Sequence, residues 1–243
     1  KLIETAQYIK ALHNLISAHF DLRNVQKLKD TIALLERFSE EPIVLNNKNN
    51  QIQCFVYIYI AKINQHFLEG SFSEGLDMIP TMEEQLKEIE PYIDSHRVLV
   101  FYYKIACLYF GAGESAKAID YLNKIINWKL NLRDDLQCYA RLLHLIAHYE
   151  LGNMEVVNYL SKSVYRFMGK MDNLSTVEEI LFNFLKKSIQ KYGRAGVAGM
   201  NKEELRQAFE ELLILLRPLQ QNKLESRAFM YLDIISWLES RIQ

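Results

Sequence analysis

The chain has 243 residues, 49% of them hydrophobic, with 29 basic and 30 acidic side chains and a formal net charge of −1. That balance offers no basic surplus to release counterions from a phosphate backbone, so a nucleic-acid partner is not expected. Only 9 glycines and 4 prolines favour long helices over a sandwich or barrel. The longest unbroken apolar run, Cys54–Ala61, falls well short of the about 20 residues a membrane helix needs.

Three cysteines, Cys54, Cys107 and Cys138, lie in apolar helical runs with no C-x-x-C pair. They read as buried, reduced thiols acting as small hydrophobes, which points to a reducing compartment and a cytoplasmic location. Opening on Lys1 rather than Met, the chain is expected to be a fragment of a longer protein.

In chain order the periodicity predicts five helical hairpins and a closing helix, about 11 helices forming one domain over 1–243. The first pair covers 2–20 and 23–39; its second helix sets Val25, Leu28, Ile32, Leu35 and Phe38 on one face at steps of three and four. No glycine marks its turn, where Asp21 and Asn24 stand instead, and Pro42 stops the second helix. The second pair covers 51–69 and 72–90, with Pro80 expected to kink or restart its second helix. The third covers 96–111 and 114–128, the fourth 135–151 and 153–169, and the fifth 174–192 and 201–216. Within the fifth, Asn201 and Glu204 have the spacing of a capping box. A closing helix at about 219–242 carries Leu224, Ala228, Tyr231, Ile235, Leu238 and Ile242 as its apolar stripe, suited to cover the last repeat of an array.

A glycine ends the first helix of four of these pairs. Gly70, Gly113, Gly152 and Gly193 are separated by 43, 39 and 41 residues. A near-constant period of this size predicts stacked helical hairpins rather than a single-centred core.

The third pair carries a finer pattern. Tyr102, Ile105, Ala106, Tyr109, Gly113, Ala118, Leu122 and Ile125 resemble the tetratricopeptide repeat, in which a large residue, an apolar–small pair and an aromatic precede the turn glycine. A small residue and two apolar ones follow it. Gly70, Phe72, Gly75, Ile79 and Met82 fit the pattern in the second pair, with His66 at the aromatic position. In the fourth pair Gly152 and His148 fit, and Val157 replaces the small residue. The resemblance covers about residues 50–170. It implies an all-α, right-handed superhelix of antiparallel hairpins; because family repeats run about 34 residues and these are longer, a generic α-solenoid of the HEAT or armadillo kind is the alternative.

By the same resemblance, the first helix of each hairpin lines a concave face. The inward positions are then Tyr57, Ile60, Asn64 and Phe67 from the second pair, and Val100, Tyr103, Cys107 and Phe110 from the third. Tyr139, Leu142, Ile146 and Tyr149 come from the fourth. Family members that clamp a peptide carboxylate place Lys, Arg and Asn at such positions. Only Asn64 answers that description, so an apolar groove for a helix or an extended peptide is expected instead. The same stripe also suits burial within the winding of the array.

No reacting group is predicted. His144 and His148 are one helical turn apart, a spacing that chelates metals, yet Leu145 follows the first and no third ligand is evident, so they read as packing histidines. The run Gly193–Gly199 lacks both a preceding strand and the Gly-Lys-Ser/Thr ending of a phosphate loop, and is expected to be a mobile connector. The sequence therefore predicts a non-catalytic scaffold without cofactor or metal, binding a protein or peptide through an apolar, aromatic face. A peptide-responsive regulator is the alternative, and a helical metalloenzyme around His144 and His148 the more distant one.

Overall fold

The computed structural model describes residues 2–128, 134–171, 174–222, 225, 228–229 and 232–242, and among these the chain is all-helical with no strand. It divides into two compact units, Lys1–Tyr121 and Leu122–Gln243.

The first unit contains α1 (Leu2–Asp21), α2 (Val25–Ser39), the short α3 (Pro42–Leu45), α4 (Lys48–Glu69), the single turn α5 (Phe72–Gly75), α6 (Ile79–Ile89), α7 (Ser95–Gly111) and the start of α8 (Ser115–Ile126). Three of these helices, α2, α4 and α7, open on a side chain that takes up an orphan amide. Asn24, Asn47 and Asp94 accept from the backbone N–H three residues on, a cap worth about 1 kcal/mol. Leu28, Ile32 and Leu35 of α2 pack with Ile9, Leu12 and Ile16 of α1 and Cys54, Ile58 and Ala61 of α4 into one buried core. Burial of each Leu or Ile contributes roughly 1.5–3 kcal/mol. Packing is serial: α4 meets α1 and α2, and also α5 and α7.

One feature here goes beyond expectation and the other meets it, the restart expected at Pro80. Pro42 stops α2 and also starts α3, occupying its first turn where no N–H is needed. The predicted helix 72–90 is broken into α5, a 3-10 turn at Leu76–Met78, and α6, which restarts with Pro80 in its first turn. Gly75 serves as a small residue by position: a Cβ there would lie 2.9 Å from Leu108 Cδ2 and 3.1 Å from the His66 ring.

The second unit contains the end of α8, then α9 (Asp134–Glu150), α10 (Met154–Met168), α11 (Thr176–Tyr192), a 3-10 helix at Gly193–Gly199, α12 (Lys202–Leu216), a 3-10 turn at Arg217–Gln221, and α13 (Ile234–Ile242). Here α9 packs on α10, α10 on α11, α11 on α12, and α12 on α13. Complete capping boxes open α11 (Ser175 with Glu178) and α12 (Asn201 with Glu204); the second is the predicted one. The glycine-rich stretch is not a featureless connector but a 3-10 helix packed on α10 and α11, with Val197 buried. The closing helix is not continuous over 219–242, since Asn222, Leu232 and Asp233 are non-helical. Of its predicted stripe, Leu224 and Tyr231 lie outside the described residues, while Ala228, Ile235 and Leu238 are buried.

The glycines that set the period are those with positive φ among the described residues: Gly70 at 67°, Gly113 at 83°, Gly152 at 71° and Gly193 at 60°. At Gly113 the turn closes with two bonds, Gly113 N–H to Phe110 C=O (3.0 Å) and Glu114 N–H to Tyr109 C=O (2.8 Å), the pattern of a Schellman cap. Gly152 and Asn153 repeat it onto Tyr149 and His148, and Arg23 and Asn24 onto Phe20 and His19. The first hairpin thus makes the same turn without glycine, holding Arg23 at φ 52°.

Candidate functional site

Residues expected on an inner face occupy two environments, one in each unit. In the first unit they stand on α4 and α7. Tyr57 stacks on His13 with centroids 3.8 Å apart and planes 8° from parallel, and the Arg97 guanidinium sits 5.8 Å above the Tyr57 ring. Burial, then the nearby Arg97 charge, lowers the His13 pKa. Ile60, Asn64, Phe67 and Phe110 are half-buried. Tyr103, at 2% exposure, is part of the core and offers nothing to solvent.

Asn64 is not the isolated amide that the sequence suggested. Lys104 on α7 donates from Nζ to Asn64 Oδ1 at 2.5 Å, and the same ammonium lies 5.3 Å from the centroid of Phe67. Loss of hydration lowers the Lys104 pKa to about 8. The Cys107 thiol is pushed up to about 12 by burial and stays neutral, so it supplies no counter-charge. Lys104 was missed because it follows Tyr103 and so stands just off the stripe drawn through 100, 103, 107 and 110. The available signal was its chemistry: Lys104 is the one charged residue between Arg97 and Glu114, midway along an apolar helix.

In the second unit three of the four residues expected on that face, Leu142, Ile146 and Tyr149, line a cavity of about 60 Å³. Leu142, Ile146 and Tyr149 of α9 form one wall, facing Leu181 and Leu185 of α11, Phe209 and Leu212 of α12, Val197 of the 3-10 helix, and Trp237 and Leu238 of α13. Tyr149, Phe209 and Trp237 meet edge to face: Phe209 and Trp237 have centroids 5.3 Å apart at 62°, Tyr149 and Trp237 5.9 Å apart at 83°. The Trp237 indole N–H donates to Glu150 Oε1 at 2.6 Å, and Arg241 pairs with Oε2 of the same carboxylate at 2.6 Å. This polar brace fixes the ring that closes the cavity and leaves an apolar lining. Tyr139 is buried outside that lining, where burial and then the Glu178 carboxylate raise its hydroxyl pKa. The resemblance put Leu142, Ile146 and Tyr149 on an open groove, not in a cavity; α13 and the 3-10 helix could not be assigned beside them, because nothing local fixes which distant helices close over α9.

His144 and His148 meet edge to face at 4.6 Å. His148 Nδ1 lies 3.2 Å from Asn153 Nδ2, across the turn whose backbone it also closes. His144 is buried with neither ring nitrogen hydrogen-bonded in the protein, and burial, with His148 and Arg141 nearby, lowers its pKa to about 4. Among the described residues no group of three or more His, Cys, Asp or Glu side chains is placed to hold a metal. Cys54 and Cys138 are buried and Cys107 half-buried, all three as free thiols, and burial raises the pKa of each, which makes them poor nucleophiles.

Among the described residues no helix is long and apolar enough to cross a membrane. No family model, curated protein or solved structure matches this chain.

Proposed function

We propose that the chain is a non-catalytic protein- or peptide-binding scaffold, a tetratricopeptide-like right-handed array of helical hairpins that contacts its partner through apolar and aromatic residues. Support for the array comes from the repeated turn geometry and the serial packing inside each unit. The observation that carries the binding proposal is the cavity under α9, which is apolar, walled by aromatic rings and unfilled by the protein's own side chains. An unfilled apolar cavity costs roughly 24 cal/mol per Å³, which an inserted aliphatic or aromatic side chain recovers. The partner is accordingly a peptide segment that presents one apolar anchor.

Peptides selected by display on the intact protein provide the test. Val197→Phe, which places a ring in the cavity, should weaken their binding about tenfold or more. Leu185→Ala, which widens the cavity, should shift selection toward larger anchors. Unchanged affinity and unchanged selection in folded variants would remove the cavity as the anchor site.

A peptide-responsive regulator is the same site used differently. It is favoured by the cavity's construction, since Val197 and Trp237, which line it, belong to two short elements. Hydrogen exchange at Val197 and Trp237 that slows by the same factor as at other contacts would leave the plain scaffold.

A further inference from the structure

Three cations of the first unit stand over aromatic rings of α4. Lys62 lies 5.9 Å from the Tyr59 centroid and pairs with Glu36; Arg97 lies 5.8 Å from that of Tyr57 and pairs with Asp94. Lys104 lies 5.3 Å from Phe67, and no carboxylate among the described residues pairs with it. Its acceptor is the Asn64 amide oxygen, which leaves two of the three ammonium protons unassigned. Accepting through Oδ1 also sets the Asn64 NH₂ group beside the ammonium as a further donor.

A withdrawn ammonium with neutral neighbours is an unpaid electrostatic debt, and an anion that brings its own charge to the spot offsets it. Lys104 stays partly exposed, on the half-buried surface between α4 and α7. One positive charge and a pair of N–H donors match one carboxylate. No arginine or second ammonium is among its partners, as a phosphate dianion would require.

We infer that Lys104 and Asn64, over the ring of Phe67, form a binding point for a single acidic side chain of the partner, an Asp or Glu flanked by apolar residues that lie against the half-buried α4–α7 surface. The inference rests on reading that surface as a contact face. It is independent of the cavity in the second unit.

The test uses the intact protein and three acetylated, amidated peptides of sequence Ala-Phe-X-Leu-Ala, with X as Glu, Gln or phosphoserine. The Glu peptide should bind about tenfold tighter than the Gln peptide, the scale of a charge-assisted bond, and should move the Lys104 side-chain NMR signals. Lys104→Met should bring Glu binding down to the Gln level without changing the Gln peptide, and Lys104→Arg should restore part of the preference. Equal affinity for Glu and Gln, an undisturbed Lys104 signal, or a preference that survives Lys104→Met would each overturn the inference. Tighter binding of the phosphoserine peptide would overturn the choice of carboxylate. None of these variants touches Val197 or Leu185, so the scaffold proposal stands or falls by its own test.

Discussion

The residues expected on an inner face meet opposite settings in the two units. Between α4 and α7 a lysine stands in apolar surroundings with one amide and a ring, and no carboxylate among the described residues pairs with it. On α9 the surface stays apolar and leaves space, while the Glu150 carboxylate is engaged by Trp237 and Arg241. Helices that look alike in sequence thus carry a charged point in one unit and an apolar cavity in the other. The difference arises from which side chains arrive from outside the stripe.

The largest expected effect comes from placing a charge among close-packed helices of the first unit. Ala118 is fully buried, and Ala118→Glu should cost roughly 4 kcal/mol or more by burying an unpaired charge. A thermal melt matching the wild type would contradict the placement of α8. Trp237→Ala should cost about 3 kcal/mol, by opening the cavity and releasing Glu150, with the loss confined to probes in the second unit. A uniform loss across both units would show that the cavity is not a local feature.

Titration separates the units more finely, because each holds a base whose pKa is lowered by loss of hydration. The folded pKa of Lys104 lies below its unfolded value, near 8 against 10.5. The unfolded chain therefore binds the extra proton, and stability should rise with pH from about 8 toward 10. Lys104→Met should flatten that rise. For His144, near 4 against 6.5, the same sign applies at lower pH: stability should fall as pH drops from 6.5 toward 4, and His144→Leu should lessen the fall. Denaturant midpoints across pH check both, and a slope that persists in the matching variant would assign it to other groups.

The smallest effect expected is at the first turn. Arg23 holds a left-handed backbone at φ 52°, so Arg23→Gly should stabilise by about 0.5–1 kcal/mol, the strain relieved exceeding the added freedom of the unfolded chain. A destabilisation in equilibrium unfolding would mean that the Arg23 side chain matters more than its backbone.

Most of the helix plan was legible because its determinants are local. Gly70, Gly113, Gly152 and Gly193 announced the positive-φ turns, and Asn201 and Glu204 announced a capping box. The restart of the helix over 72–90 was legible in Pro80, though the close approach of Leu108 and His66 to Gly75 was not. The non-helical Asn222, Leu232 and Asp233 were not legible either, because helical periodicity continued on paper through them. The candidate site was half legible for the same reason. Leu142, Ile146 and Tyr149 were singled out by the resemblance to the repeat pattern, whereas Trp237 and Val197 reach the cavity only by tertiary packing. Lys104 was visible as an anomaly, a lone charge in an apolar helix, though its partners Asn64 and Phe67 come from a helix some forty residues earlier.

Intermolecular nuclear Overhauser effects on a complex with a selected peptide test the central claim most directly. The account predicts contacts from one apolar side chain of the peptide to the Leu142 and Ile146 methyls and the Tyr149 and Trp237 rings. A peptide that binds tightly while leaving all four untouched would contradict it.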